Sequence, residues 1–104
     1  MELEFGSLEL QRLAESAARS NGLLGELVGS FFRQRLCELA AADSLAIVTR
    51  LPALLLQPVG QSGRRFSINV GPKHRLIFEV PGRKRPDVDF VAITAVRVIA
   101  VEEV

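Results

Sequence analysis

The sequence predicts an α+β domain with its helices in the first half and a largely antiparallel sheet in the second. Three observations predict it. Apolar residues recur at helical spacing between Leu10 and Ala42, they alternate with polar ones from Arg65 onward, and Gly- and Pro-containing breaks punctuate the second half. A length of 104 residues suits one domain around one principal core, so 1–104 is read as a single unit.

Met1 to Phe5 alternates through Leu3 and Phe5, which predicts a short N-terminal strand. Ser7 is placed to cap a first helix carrying Leu10, Leu13, Ala14 and Ala17 on one side. Ser20-Asn21-Gly22 is expected to stop it, because Asn and Gly tolerate the left-handed backbone that closes a helix. A second main helix is predicted from Leu23 or Leu24 to Ala42. Its apolar stripe contains Leu24, Leu27, Val28, Phe31, Phe32, Leu36, Leu39 and Ala40, with Glu26, Arg33, Gln34 and Glu38 opposite. Gly25 and Gly29 each weaken an interior helix by about 1 kcal/mol relative to alanine, and their small size suits close packing against a neighbour. Cys37 falls within the apolar pattern and is expected to be a buried thiol. Asp43-Ser44 breaks the helix, a short helical or irregular piece runs to Arg50, and Pro52 limits any continuation.

The second half reads as strands at Ala53 to Gln57, Arg65 to Val70, Arg75 to Val80 and about Val91 to Val101. Turns at Gly60 to Gly63 and at Gly71-Pro72 make the first three an antiparallel meander. Phe66, Ile68 and Val70 alternate with Ser67 and Asn69, so this strand has one buried and one wetter face. The last strand is apolar on both faces, a pattern that suits an interior strand. Pro81 to Asp89 is a turn-rich loop whose Arg83-Lys84-Arg85 run reads as a solvated tip.

Composition narrows the functional classes. With 48% apolar and 24% charged residues, the chain has enough apolar material to offset ordering entropy, which excludes global disorder. Glutamates occupy the N-terminal stretch where a signal peptide carries Lys or Arg, and no apolar run reaches about eighteen residues. A cytoplasmic address and no membrane association are therefore expected. The net charge of +1 hides an asymmetry: Met1 to Arg50 holds five Arg against seven acidic residues, whereas Gln61 to Phe90 holds seven Lys or Arg against three. The second segment is suited to a polyanion.

Gly60-Gln61-Ser62-Gly63-Arg64-Arg65 has the spacing of neither a P-loop nor a dinucleotide-binding turn, and one His with one Cys does not make a zinc set. No cofactor or metal is expected. The informative cluster is basic. Arg64 and Arg65 precede one strand, Lys73, His74 and Arg75 sit at the next hairpin, and antiparallel pairing is expected to bring them onto one rim. Arginine holds phosphate through its fork, lysine as a point charge, and histidine exchanges a proton near neutral pH. Ribonuclease chemistry through the substrate's 2′-hydroxyl needs those functions. A noncatalytic polyanion or protein surface and an ordinary solvated rim stand beside it as alternatives.

The run RLCELAAADSLAIVTRLP followed by QPVGQSGRRFSINVGPKHRLIFEV resembles the HigB branch of the RelE/ParE toxin superfamily, over about Phe31 to Val80 and more loosely through VRVIAVEEV. The resemblance implies a RelE-like sheet packed by two N-terminal helices and mRNA cleavage on the ribosome. It also implies neutralisation by a cognate helix-turn-helix antitoxin, which links the pair to operator DNA. By position, Arg75 is implied as the catalytic residue gripping the scissile phosphate, with Arg64, Arg65 and Lys73 holding RNA and His74 as an auxiliary group. Gln57-Pro58 stands where the family commonly has His-Pro, and glutamine is no general base near pH 7. Glu102-Glu103-Val104 stands where relatives continue into a DYH-like tail, so the catalytic tail is expected to be lacking. Two alternatives follow from the same resemblance: a catalytically impaired antitoxin-binding homologue, and a ParE-like gyrase inhibitor.

Overall fold

A computed structural model describes residues 1–82 and 89–104. The basic run Arg83-Lys84-Arg85 lies outside the described residues. Strand β1 (Glu2–Phe5) leads into α1 (Leu8–Glu15), α2 (Ala17–Leu24), α3 (Glu26–Ala41) and the single turn α4 (Leu45–Val48). Strands β2 (Gln57–Pro58), β3 (Arg65–Val70), β4 (His74–Glu79) and β5 (Ala95–Glu103) complete a five-stranded sheet in the order β1-β5-β4-β3-β2. The β2 to β5 neighbours are antiparallel and β1 pairs parallel with β5, so the sheet is mixed and β5 is interior.

The first helix differs from expectation. Ser16 leaves the helical region at φ −127° and ψ 115°, and its hydroxyl accepts from the Arg19 N–H, which starts a new helix at Ala17, inside the predicted first helix. Asn21-Gly22 then lies inside α2 instead of ending it. The Asn21 carboxamide accepts from Arg33 at 2.8 Å, and Gly25, at φ +86°, makes the actual stop. Three helices thus span Leu8 to Ala41, where two were expected.

Gly29 is where α2 and α3 press together. A Cβ there would lie 2.4 Å from Asn21 Oδ1 and 3.0 Å from the Asn21 backbone nitrogen, whereas one at Gly22 would meet nothing within 4 Å. Gly29→Ala is therefore expected to lower stability by about 1–3 kcal/mol through overpacking. Gly22→Ala, at an open site inside a helix, is expected to raise it by about 0.5–1 kcal/mol. Urea melts of the two variants check both signs.

The helices cover one face of the sheet. Phe32, Leu36 and Leu39 of α3, Leu13 of α1, and Leu45 and Val48 of α4 bury themselves against Phe66, Ile68, Val70, Leu76, Phe78, Val96 and Val98, with Leu3 and Phe5 packed alongside. Phe66 lies 6.0 Å from Phe78 in a stacked arrangement and 5.5 Å from Phe90 edge-on. Cys37 is exposed, correcting the expected buried thiol: it follows inward-facing Leu36 by 100° of helix rotation and points away from the core. Arg35 takes an inward position instead. It is 8% exposed, its Nε donates to the Asn69 carbonyl at 2.8 Å, and its Nη1 donates to both Glu38 oxygens at 3.0 and 3.1 Å.

The first predicted strand of the meander is mostly absent. Pro52–Leu54 forms a 3-10 turn, and Leu55 follows in the left-handed region at φ +49°, which leaves Gln57–Pro58 as a two-residue edge strand. Val91 likewise belongs to a 3-10 turn, Phe90–Ala92, with the Asp89 carboxylate accepting from the Val91 N–H, so β5 starts later than expected and continues to Glu103.

Candidate functional site

Strand alternation leaves a second sheet face on which no helix packs among the described residues. The register places Gln57 beside Ser67, Asn69 beside Arg75 and Arg75 beside Glu102, while Arg65 faces Glu79. A bulge between Ile77 and Phe78 in the β4–β5 register keeps both Arg97 and Glu102 on this face. A row of alternating charge results. Arg97 donates to Glu4 at 3.2 Å and to Glu79 at 3.1 Å, and Arg65 lies 3.6 Å from the other Glu79 oxygen.

The two halves of the expected basic rim fall at opposite ends of the β3–β4 hairpin. Arg64 and Arg65 sit at its open end, whereas Lys73, His74 and Arg75 sit at the turn. Four residues of strand separate the Arg65 and Asn69 positions, or about 13 Å. Antiparallel pairing puts the start of β3 beside the end of β4, not beside its beginning, so the five residues do not converge.

What does converge at the turn end is a polar cleft of about 210 Å³ lined by Leu55, Gln57, Ser67, Ile68, Asn69, Pro72, His74, Arg75 and Val104. Arg75 is its cation. Its Nε and Nη2 both donate to one oxygen of Glu102, at 2.9 and 2.7 Å, leaving Nη1 and the second Glu102 oxygen uncommitted among the described residues. Both side chains are partly exposed, so the pair is open to exchange with another anion. The side-chain amides of Gln57 and Asn69 have no partner among the described residues, which leaves their donors and acceptors available.

His74 lines the same cleft, but successive strand residues leave the strand in opposite directions and it does not share the Arg75 face. Its Nδ1 is buried and has no hydrogen-bond partner among the described residues. Arg64 and Lys73 make no ion pair among the described residues. No group of three His, Cys, Asp or Glu is placed to hold a metal ion among them, and no helix is long and apolar enough to cross a membrane.

Sequence reasoning missed Ser67, Asn69 and Glu102 as members of this site. The alternation in β3 had already put Ser67 and Asn69 on the wetter face. Glu102 had no local signal, since its place beside Arg75 comes from a strand pairing across 27 residues. A separate apolar pocket of about 570 Å³ adjoins the cleft, and Leu55 and Gln57 line both.

No family model, curated protein or solved structure matches the chain. This corrects the specific identity attached to the resemblance: the HigB and RelE names, a toxin–antitoxin system, growth inhibition and mRNA interferase activity on the ribosome are set aside. Nothing found ties the mixed five-stranded sheet to a RelE-like fold. The cleft must be read from its own chemistry.

Proposed function

We propose that the chain binds single-stranded RNA across the turn end of its sheet. One observation carries this reading: an arginine fork lies in a cleft that also presents the side-chain amides of Gln57 and Asn69, which have no partner among the described residues. A phosphate replaces Glu102 on part of the Arg75 fork, Lys73 adds a nearby point charge, and the amides hydrogen-bond the ribose or base edges. The Glu102 carboxylate, an acceptor next to the bound phosphate, favours a 2′-hydroxyl and therefore RNA over DNA. The reading needs neither a ribosome nor an antitoxin.

Fluorescence anisotropy with labelled RNA and DNA hexamers of one sequence tests it. RNA is expected to bind several-fold more tightly than DNA, with affinity falling as salt rises. Glu102→Gln is expected to strengthen binding of both by releasing the arginine fork, and to narrow the difference between them. Equal affinity for RNA and DNA, or no binding of RNA at low salt, would overturn the reading.

A second reading, cleavage of the bound strand, is favoured by the 2.7 Å Arg75–Glu102 contact, which sets a proton acceptor beside a phosphate-binding cation. Glu102 takes the 2′-hydroxyl proton, the 2′-oxygen attacks phosphorus, and the bond to the 5′-oxygen breaks as that oxygen takes a proton from water. A 2′,3′-cyclic phosphate and a 5′-hydroxyl end are the products. End analysis of an incubated hexamer decides it: intact RNA after prolonged incubation leaves binding alone.

A further inference from the structure

Resting on the RNA-binding reading, we propose that the apolar pocket beside the cleft receives one unstacked nucleobase of the same strand. The pocket, about 570 Å³, is walled by Leu51, Pro52, Leu56, Phe66 and Phe90. That is room for a base with space to spare, in the size range of small-molecule sites. A mostly apolar wall with a few polar groups suits a flat ring with polar edges. Thr49 and Gln57 are the side chains that bring such groups. The Gln57 carboxamide, with no partner among the described residues, offers a donor and an acceptor side by side, as a base edge requires.

Continuity with the cleft selects this occupant over a separate ligand. Leu55 and Gln57 line both spaces, so a chain molecule with its phosphate at Arg75 reaches the pocket by turning around the short edge strand β2. Leu55 marks the passage. It holds a left-handed backbone at φ +49°, which a bulky residue rarely adopts, and it is 59% exposed on the wall between the two spaces. The end of the Pro52–Leu54 turn, where the Leu55 N–H donates to the Pro52 carbonyl, sets that conformation and leaves Leu55 lining both spaces. A nucleotide has the matching shape: a charged end, a polar sugar and a flat, largely apolar ring.

The test walks a single abasic ribose through the labelled RNA hexamer, against wild type and Leu51→Asp. Leu51 lines the pocket but not the cleft and is 38% exposed, so the substitution puts a charge in the pocket without disturbing the core. In wild type, loss of the base at one position is expected to weaken binding about tenfold, with little effect elsewhere. Leu51→Asp is expected to bind the intact hexamer about as weakly as wild type binds that abasic one, with the same salt dependence and no remaining position effect. A thermal melt of Leu51→Asp matching wild type confirms that the variant is folded; for a misfolded one, Leu51→Gln takes its place in the same comparison. Equal penalties at all positions overturn the base pocket while leaving RNA binding in place, as does a position effect that survives the variant. Binding of an apolar leucine-rich peptide that RNA does not displace assigns the pocket to a protein partner and overturns it too. Failure of wild type to bind any hexamer overturns the RNA-binding reading itself.

Discussion

Phe32→Ala is expected to lower the unfolding free energy by about 3–5 kcal/mol, which is a large part of the about 5–15 kcal/mol available to a domain of this kind. Phe32 is the bulkiest class of side chain in the core, is fully buried, and sits mid-way along α3, the one long helix over the sheet. Truncation removes apolar transfer energy and leaves a void between α3 and the sheet that the neighbouring Leu36 and Leu39 do not fill without moving backbone. At about 4–8 °C per kcal/mol, the melting temperature should fall by roughly 12–40 °C. Phe32→Leu, which keeps most of the volume, should cost much less. Paired urea and thermal melts check the ordering; an alanine variant within about 1 kcal/mol of wild type would show that α3 does not anchor the core.

Arg75→Ala is expected to weaken RNA binding about 10- to 100-fold while leaving the melting temperature within a few degrees of wild type. A hydrogen-bonded charge is worth about 1.5–3 kcal/mol, and the partly exposed Glu102 is re-solvated once its partner is gone. Arg65→Ala supplies the contrast. Arg65 is on the same sheet face, but it lies at the other end of the hairpin and beside Glu79. Its loss should change affinity less than about threefold. Equal losses at the two positions would place the RNA along the whole uncovered face and remove the cleft from the argument.

The β hairpin was the most legible part of the fold because period-2 alternation and a Gly-Pro turn agree, and β3 and β4 stand within a residue of their predicted bounds. Ser16 was not legible as a boundary, since serine is tolerated inside helices and only its hydroxyl contact with the Arg19 N–H shows it acting as a cap. Leucine-rich 53–57 read as a strand on hydrophobicity alone, but Pro52 and the left-handed Leu55 turn the chain instead. Cys37 was expected inside and is exposed, whereas Arg35 on the same helix turns inward, because an aliphatic arginine stem packs there when its head finds a carbonyl and a carboxylate.

For the site, Arg75 and Gln57 were recoverable from the sequence as members, whereas the shared rim was not. Which end of a hairpin a residue occupies follows from the register, and Arg64 and Arg65 were read without it. Glu102 needed the β4–β5 pairing, and the apolar pocket needed the chain to fold a 3-10 turn where a strand was expected.

The row Glu4–Arg97–Glu79–Arg65 has a consequence for how fast a partner arrives. Opposite charges that close on one another within about 3–4 Å cancel beyond a Debye length, so the uncovered face projects little field to pull a polyanion in from solution. Association should then proceed at the about 10⁵–10⁶ M⁻¹s⁻¹ of an unsteered encounter, and any discrimination between strands should appear in how long each one stays.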